Sequence, residues 1–274
     1  MTAPIGVFDS GVGGLTVLRA LRTAMPDERF LYLGDTARLP YGTKSSATVT
    51  RYAVQAARIL VERGVKALVI ACNTASAVAL EALQQAYAPL PVFGVVQPGA
   101  QAAAALAGDG TALVLATEST VRGGAYQRAL LALRPGMRVR ARPCPLLVTL
   151  AEEGRHHGAL VDLALDEYLT GLFPADAAHP PRVLLLGCTH FPVFAPALER
   201  ALVRHGQAHV RIVDSAATTA RAVARELAAG RFAPASPLSG PGLTLLATDG
   251  PERFRRVSRY FLHQPVDRVE LVDL

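Results

Sequence analysis

The chain contains 274 residues, of which 51% are hydrophobic, so it has enough apolar material for one large core or two ordinary ones. It has no run of about 18 apolar residues, and its first residues lead into an apolar strand without a basic stretch and cleavage site, so we expect a cytoplasmic protein with no membrane partner. The formal charge of +6 raises the question of nucleic-acid binding. Because the arginines are scattered and their one cluster, Arg138 to Arg142, alternates on one solvated strand face, we expect no nucleic-acid partner.

Strand-like and helix-like segments alternate along the whole chain, which indicates an α/β protein with mainly parallel sheets. The predicted strands begin near Ile5, Phe30, Ala67, Val92, Ala112, Val139, Val183, Val210, Leu243 and Val269. The predicted helices include residues 15–25, 46–63, 76–86, 124–133, 160–172 and 195–205.

The two halves of the chain resemble each other, which predicts two similar three-layer α/β units that face one another across a cleft. Residues 8–14 recur loosely as residues 116–124, and a cysteine follows a buried strand in each half. Proline and glycine at 98 and 99 interrupt the pattern, so we place the crossover at 96–99 and the return near Val210. The predicted domains are therefore residues 1–96 with 210–274, and residues 97–209.

Cys72 and Cys188 each end an apolar run and are followed at once by small polar residues. In an open parallel sheet the ligand crevice lies at the carboxyl ends of the strands, where a helix N-terminus also favours a thiolate. A single cysteine in such a place more often packs as a small hydrophobe, but its repetition favours chemistry. Cys144, between two prolines, has no such strand before it and no helix cap after it, so we expect it to be structural.

The amino-acid counts argue against the main cofactors. Three cysteines make no disulfide framework and no zinc spacing, and one Cys-x-His at residues 188–190 is a poor metal ligand set. Only Lys44 and Lys66 could form a Schiff base with pyridoxal phosphate, and both are expected to be solvated. We therefore expect no cofactor and no metal.

The first strand ends in a glycine-rich turn, Asp9-Ser10-Gly11-Val12-Gly13-Gly14, that opens a helix. Such a turn exposes backbone N–H groups to an anion, although Asp9 and Ser10 could equally cap the helix. The spacing fits neither of the common nucleotide-binding motifs, so a carboxylate ligand suits the turn better.

Four motifs now occur in order along nearly the whole chain: residues 8–16, 34–42 (GDTARLPYG), 72–76 (CNTAS) and 187–192 (GCTHFP). Together they closely resemble the bacterial glutamate racemases, and more so than the related aspartate racemases. The resemblance implies a cofactor-independent isomerase that interconverts L- and D-glutamate, supplies D-glutamate for peptidoglycan and the cell wall, and forms a homodimer. The chain departs from the family pattern at Ser119, where glycine is common, and at Gln97, where an acidic residue is frequent.

By resemblance, Cys72 takes the proton from D-glutamate and Cys188 acts on the L-isomer, since inversion needs a base on one face of the carbon and an acid on the other. Asp9, His190 and Glu152 resemble the groups that assist the thiols, and spacing does not decide between Glu152 and Glu153. The implied substrate-binding set is Asp9, Ser10, Tyr41, Gly42, Asn73, Thr74, Thr117, Thr120, Thr189 and His190. Free cysteine is only a few per cent thiolate at neutral pH, so we expect the site to lower the thiol pKa values.

Two other hypotheses remain open at this point. One is a racemase of the same superfamily that acts on aspartate or another amino acid. The other is a two-lobed small-molecule binding protein in which the cysteines only pack.

Overall fold

A computed structural model describes residues 3–173, 178–234 and 242–274, and it consists of two parallel sheets flanked by helices. The strands are β1 (Ile5–Asp9), β2 (Phe30–Gly34), β3 (Ala67–Ile70), β4 (Val92–Gly94), β5 (Thr111–Ala116), β6 (Arg138–Pro143), β7 (Pro181–Gly187), β8 (Arg211–Asp214), β9 (Leu243–Ala247) and β10 (Glu270–Leu271). The helices are α1 (Leu15–Ala24), α2 (Ser46–Glu62), α3 (Asn73–Ala86), α4 (Val96–Ala107), α5 (Glu118–Gly123), α6 (Ala125–Leu133), α7 (Pro145–Glu152), α8 (Ala159–Leu169), α9 (Ala195–Arg204), α10 (Ser215–Ala228) and α11 (Pro251–Leu262). Single 3₁₀ turns lie at Tyr41–Thr43 and Phe191–Phe194.

The strand order confirms the predicted pair of parallel α/β units. The six-stranded sheet has the order β10-β9-β2-β1-β3-β4, and the four-stranded sheet has the order β6-β5-β7-β8. The succession β2-β1-β3-β4 therefore returns as β6-β5-β7-β8. The central strands β1, β3 and β5 are buried along their whole length, as expected for runs of apolar residues covered by helices on both faces.

One of the two predicted boundaries differs from the structure. Strand β8 pairs with β7, Val183 opposite Arg211, so the predicted return to the first unit near Val210 comes one strand too early. The predicted crossover at 96–99 falls on the first turn of α4, which connects the two sheets. Pro98 is tolerated there because the first backbone N–H groups of a helix have no helical acceptor. The rest of the predicted domain division stays a prediction.

The two units share one continuous core. An apolar cluster contains Val7 and Tyr32 of the first sheet together with Leu113 and Leu184 of the second. Helix α10 packs along α1, and the Thr16 hydroxyl of α1 donates to the carbonyl oxygen of Thr189 at 2.8 Å. The carboxyl ends of β1, β3, β5 and β7 are thereby held around a common space. Within the described ranges, no helix combines the length and apolarity needed to cross a membrane.

The third cysteine was predicted to have no buried apolar strand before it and no helix cap after it, and only the second part is wrong. Cys144 directly follows β6 and is the N-cap residue of α7. Both prolines that obscured these elements are at tolerated places, because Pro143 ends a strand at a sheet edge and Pro145 begins a helix. Like Cys72, Cys144 lies between a strand and a helix, but β6 is a partly exposed edge strand and the Cys144 side chain accepts no hydrogen bond at the start of α7.

Candidate active site

A cavity of about 230 Å³ lies where the carboxyl ends of the central strands of both sheets meet. Cys72 follows β3 on one side of it and Cys188 follows β7 on the other. This is the edge at which an open parallel sheet binds its ligands. Most of the predicted site residues line the cavity, namely Ser10, Tyr41, Gly42, Cys72, Asn73, Thr74, Thr117, Cys188, Thr189 and His190.

Three predicted residues lie behind the lining rather than in it. Asp9 is fully buried beneath the first turn, Thr120 lies 3.0 Å from the hydroxyl of Thr117, and Glu152 contacts His190. The lining also includes residues that the sequence did not predict: Pro40, Thr43, Glu118, Pro145, Val148 and Thr149. Those at 40, 43 and 118 adjoin predicted residues and could have been found by proximity, whereas the three from α7 carried no motif.

Cys72 is the N-cap residue of α3, and its surroundings favour the neutral thiol. Its Sγ accepts from the backbone N–H of Ala75 at 3.4 Å and donates to Oγ of Ser10 at 3.5 Å. Burial, followed by the charge of Asp9, raises the pKa of Cys72 to about 12 despite these contacts. The prediction that the site lowers this pKa is wrong, because desolvation of the sulfur outweighs two weak hydrogen bonds.

The glycine-rich turn encloses Asp9 instead of opening onto an anion. Oδ2 of Asp9 accepts from the backbone N–H of Gly11 at 2.9 Å, and the Tyr32 hydroxyl donates to the carbonyl of Gly11 at 2.9 Å. Burial raises the pKa of Asp9, while the charge of His190 and the backbone N–H groups of the turn oppose that rise. A Cβ at Gly13 would collide with the His190 ring, so glycine permits this close approach between the two units.

Cys188 is surrounded differently, by a histidine and a carboxylate. Its Sγ lies 3.7 Å from Nδ1 of His190, and Nε2 of His190 lies 3.1 Å from Oε1 of Glu152. Burial alone would lower the pKa of His190, but the hydrogen bonds with Cys188 and Glu152 outweigh it and raise that pKa to about 10. His190 is therefore an imidazolium at neutral pH.

The choice between two adjacent glutamates is settled by the phase of α7. Glu152 is mostly buried against His190, whereas Glu153 is exposed. Burial alone would raise the pKa of Glu152, but His190 and Arg253 outweigh it and lower that pKa. Glu152 is thus a carboxylate paired with His190.

Hydroxyl and amide groups form part of the remaining cavity lining. Oγ1 of Thr74 lies 3.0 Å from Oγ1 of Thr117, which joins the two units at the cavity wall. The Tyr126 hydroxyl donates to Oδ1 of Asn73 at 2.6 Å, and the buried Nδ2 of Asn73 has no hydrogen-bond partner within the described residues. The Tyr41 hydroxyl donates to Oδ2 of Asp35, so its proton is already engaged.

Several residues singled out in the sequence lie away from the cavity lining. Cys144 is fully buried, its Sγ lies 3.5 Å from the carbonyl oxygen of Arg142, and burial raises its pKa. Ser119 is buried but does not line the cavity, and Gln97 is exposed elsewhere. The departures from the family pattern therefore do not alter the cavity wall directly.

The lysines also lie outside the cavity lining, and one of them is not solvated as predicted. The ammonium of Lys66 lies 2.5 Å from Oε2 of Glu28, with only 8% of the lysine side chain exposed. The Lys66 ammonium also donates a hydrogen bond to the carbonyl oxygen of Ala233 at 2.7 Å. Among the residues that the structure describes, no group of three His, Cys, Asp or Glu side chains could hold a metal ion.

The chain is similar to proteins of known family along most of its length. Residues 14–223 match the family described as Asp/Glu/Hydantoin racemase. A glutamate racemase of Geobacter metallireducens is 46% identical over 98% of this chain and 96% of its own length.

Solved structures agree along the same length. The glutamate racemase of Francisella tularensis, solved in complex with D-glutamate, superimposes with a TM-score of 0.88 at 35% identity, over 99% of this chain and 97% of that chain. The glutamate racemase of Thermus thermophilus, in complex with β-chloro-D-alanine, has a TM-score of 0.85 at 42% identity, with the same coverage of 99% and 97%. The chain therefore belongs to the Asp/Glu/hydantoin racemase family, and it matches the glutamate racemases of that family along nearly its whole length.

Proposed function

We propose that this amino-acid racemase interconverts L- and D-glutamate by proton transfer between two cysteines, Cys72 and Cys188. The observation that carries the proposal is that corresponding strand ends of two repeated units place a thiol on each side of one cavity. Inversion of a stereocentre by proton transfer needs a base on one face of the α-carbon and an acid on the other. Two thiols from two facing units meet that requirement.

The two sulfurs have different surroundings. Cys72, with its raised pKa, is a thiol. Sγ of Cys188 lies 3.7 Å from Nδ1 of His190, so this imidazole can hydrogen-bond the sulfur during proton transfer. In the direction from L- to D-glutamate, Cys188 takes the α-proton as a thiolate while the Cys72 thiol gives a proton to the opposite face.

One turnover exchanges the two protonation states. After it, Cys72 is the thiolate and Cys188 the thiol, which is the state that D-glutamate needs for the reverse reaction. The C–H bond on one face breaks as a new C–H bond forms on the other, so protons balance without a cofactor. Asp9 and Glu152 act through their neighbours, Asp9 below the Cys72 side and Glu152 on His190.

The substrate carboxylates are held by neutral donors in this proposal. The lining provides the hydroxyls of Ser10, Thr74, Thr117 and Thr189, with Thr120 behind them. The unpaired Nδ2 of Asn73 supplies an amide donor, and the turn at Tyr41 and Gly42 supplies backbone N–H groups. Hydroxyl and amide donors can bind a carboxylate without a buried arginine.

We further infer from the relatives' activity that the product D-glutamate serves peptidoglycan synthesis, and that the enzyme forms a homodimer. The support is the long match to proteins named glutamate racemase, one of which was solved with D-glutamate. Aspartate as substrate and ligand binding without turnover are the alternatives that an assay must separate.

The test uses the purified protein and L-glutamate in deuterated water with no added cofactor. We expect the optical rotation to fall to zero while deuterium appears at the α-carbon. Unchanged rotation with no exchange would overturn the proposal, and turnover of aspartate but not glutamate would select the other substrate. Binding of glutamate without either change would identify a binding protein.

A further inference from the structure

Helix α11 belongs to the first unit but packs against site residues of the second unit. It lies between β9 and β10, which are strands of the six-stranded sheet. The ring of Phe261 packs edge-on against the His190 ring, with 5.4 Å between centroids. Tyr260 packs in the same way on His156, at 5.5 Å, just beyond the end of α7. One side of α11 therefore covers the residues that assist Cys188.

The same helix provides a cation for the buried carboxylate. Nη2 of Arg253 lies 2.8 Å from Oε2 of Glu152, while Oε1 of Glu152 contacts His190. The two oxygens are thus held by two cations from different units. The Glu152 side chain is only 13% exposed, whereas that of Arg253 is 54% exposed. Arginine can hold the carboxylate while losing little of its own hydration.

We propose that Arg253 is a positioning residue for the acid–base group of the second unit: it holds Glu152 on His190 across the boundary between the two units. This inference rests on the proposed function, in which His190 assists Cys188. This positioning role of Arg253 makes the protonation of His190 depend on how α11 of the first unit packs on α7 of the second. Arg253 does not line the cavity, so its action on the substrate is indirect.

The charged groups around this contact are few among the described residues. Cys188 and Glu152 face His190 directly, and Asp9 of the first unit acts on it through its charge. Arg253 acts on Glu152 and lowers its pKa. His156 contacts the carbonyl of Ala151 rather than the carboxylate. Replacement of Arg253 should therefore change Glu152 first and His190 through Glu152.

The direction of the change in the His190 pKa distinguishes positioning from a simple charge effect. If Arg253 only added positive charge near the imidazolium, its removal would raise the pKa of His190 or leave it unchanged. If it holds Glu152 in place, its removal loosens the Glu152–His190 hydrogen bond and lowers that pKa. We expect the second result for Arg253→Gln.

The experiment titrates histidine ring signals by NMR in the wild type, Arg253→Gln, Arg253→Lys and the matched control Arg256→Gln, an exposed arginine of the same helix. His190→Asn assigns the signal among the seven histidines. We expect the His190 pKa to fall in Arg253→Gln, to recover in part in Arg253→Lys, and to stay unchanged in Arg256→Gln. An unchanged or raised value in Arg253→Gln would overturn the inference.

Kinetics give a second readout. Arg253→Gln should lower kcat about fivefold with little change in KM, the size expected for a partly exposed ion pair. Because the Glu152 pKa rises without Arg253, the acidic limb of kcat/KM should move to higher pH. In a Glu152→Gln background, Arg253→Gln should have no further effect, and a full further loss would overturn the inference. The titration does not require turnover, so a wild type that fails to racemise would overturn the proposed function while leaving the positioning of His190 measurable.

Discussion

The two thiols occupy equivalent places in two repeated units, yet their surroundings differ in charge. Beside Cys72 lie a serine hydroxyl, a backbone N–H and the buried Asp9. Beside Cys188 lies an imidazolium that is held by a carboxylate. The repeated fold therefore supplies the position of each thiol, whereas the residues around it give each thiol a different electrostatic environment.

The asymmetry has a thermodynamic limit. L- and D-glutamate have equal free energies in water, so kcat/KM must be the same in both directions whatever the surroundings of the two sulfurs. The difference between the units can change kcat and KM in each direction, provided that their quotient stays equal in the two directions. It can also change which isomer binds the resting enzyme.

The largest expected effect separates the cavity cysteines from the third one. Cys72→Ser and Cys188→Ser should each lower racemisation by about 1,000-fold or more, because a serine hydroxyl is a poor base at neutral pH. Cys144→Ser should retain nearly full activity, since that sulfur lies outside the cavity lining. The measurement is the initial rate of loss of optical rotation, and equal losses for all three variants would contradict the comparison.

A smaller effect is expected when one of two adjacent glutamates in the second unit is replaced. Glu152→Gln should lower kcat/KM about 10- to 100-fold, because the His190 imidazolium loses its carboxylate partner. Glu153→Gln removes the same charge from an exposed neighbour and should change kcat/KM by less than about twofold. Similar losses in both variants would show that net charge, not the contact with His190, matters.

The last effect concerns the pH dependence of stability and not the rate of turnover. The pKa of His190 is raised in the folded protein from 6.5 to about 10, so its contribution to stability is fully present below pH 6.5 and is lost as pH rises through about 10. Chemical unfolding at several pH values should show this loss in the wild type and a shallower one in His190→Asn. Parallel curves for the two proteins would mean that His190 is not charged in the folded state.

Buried runs and ordered motifs made much of the fold and site predictable. The runs at Ala67 and Val183 located β3 and β7, and hence both thiols, because a strand covered on both faces leaves a clear apolar signature. Tyr41 and Gly42 were found by motif, although the Tyr41 hydroxyl turned out to be engaged by Asp35.

Other features depend on contacts between distant parts of the chain. Helix α4 was hidden by Pro98, which a helix tolerates in its first turn. The raised pKa of Cys72 depends on how completely the sulfur is desolvated, and no local pattern reports that. Arg253 lies 101 residues from Glu152, so only the packing of α11 on α7 brings them together.

The early distribution of deuterium between the two isomers tests most directly whether two different thiols act on the two faces of the α-carbon. Protiated L-glutamate is incubated with the wild type in deuterated water. Before equilibrium, the two isomers are separated and the deuterium content of each is measured by mass spectrometry. We expect the first D-glutamate to carry deuterium at the α-carbon while the remaining L-glutamate is still protiated. D-glutamate that keeps the original proton, or L-glutamate labelled as fast as D-glutamate forms, would contradict proton transfer by two different thiols.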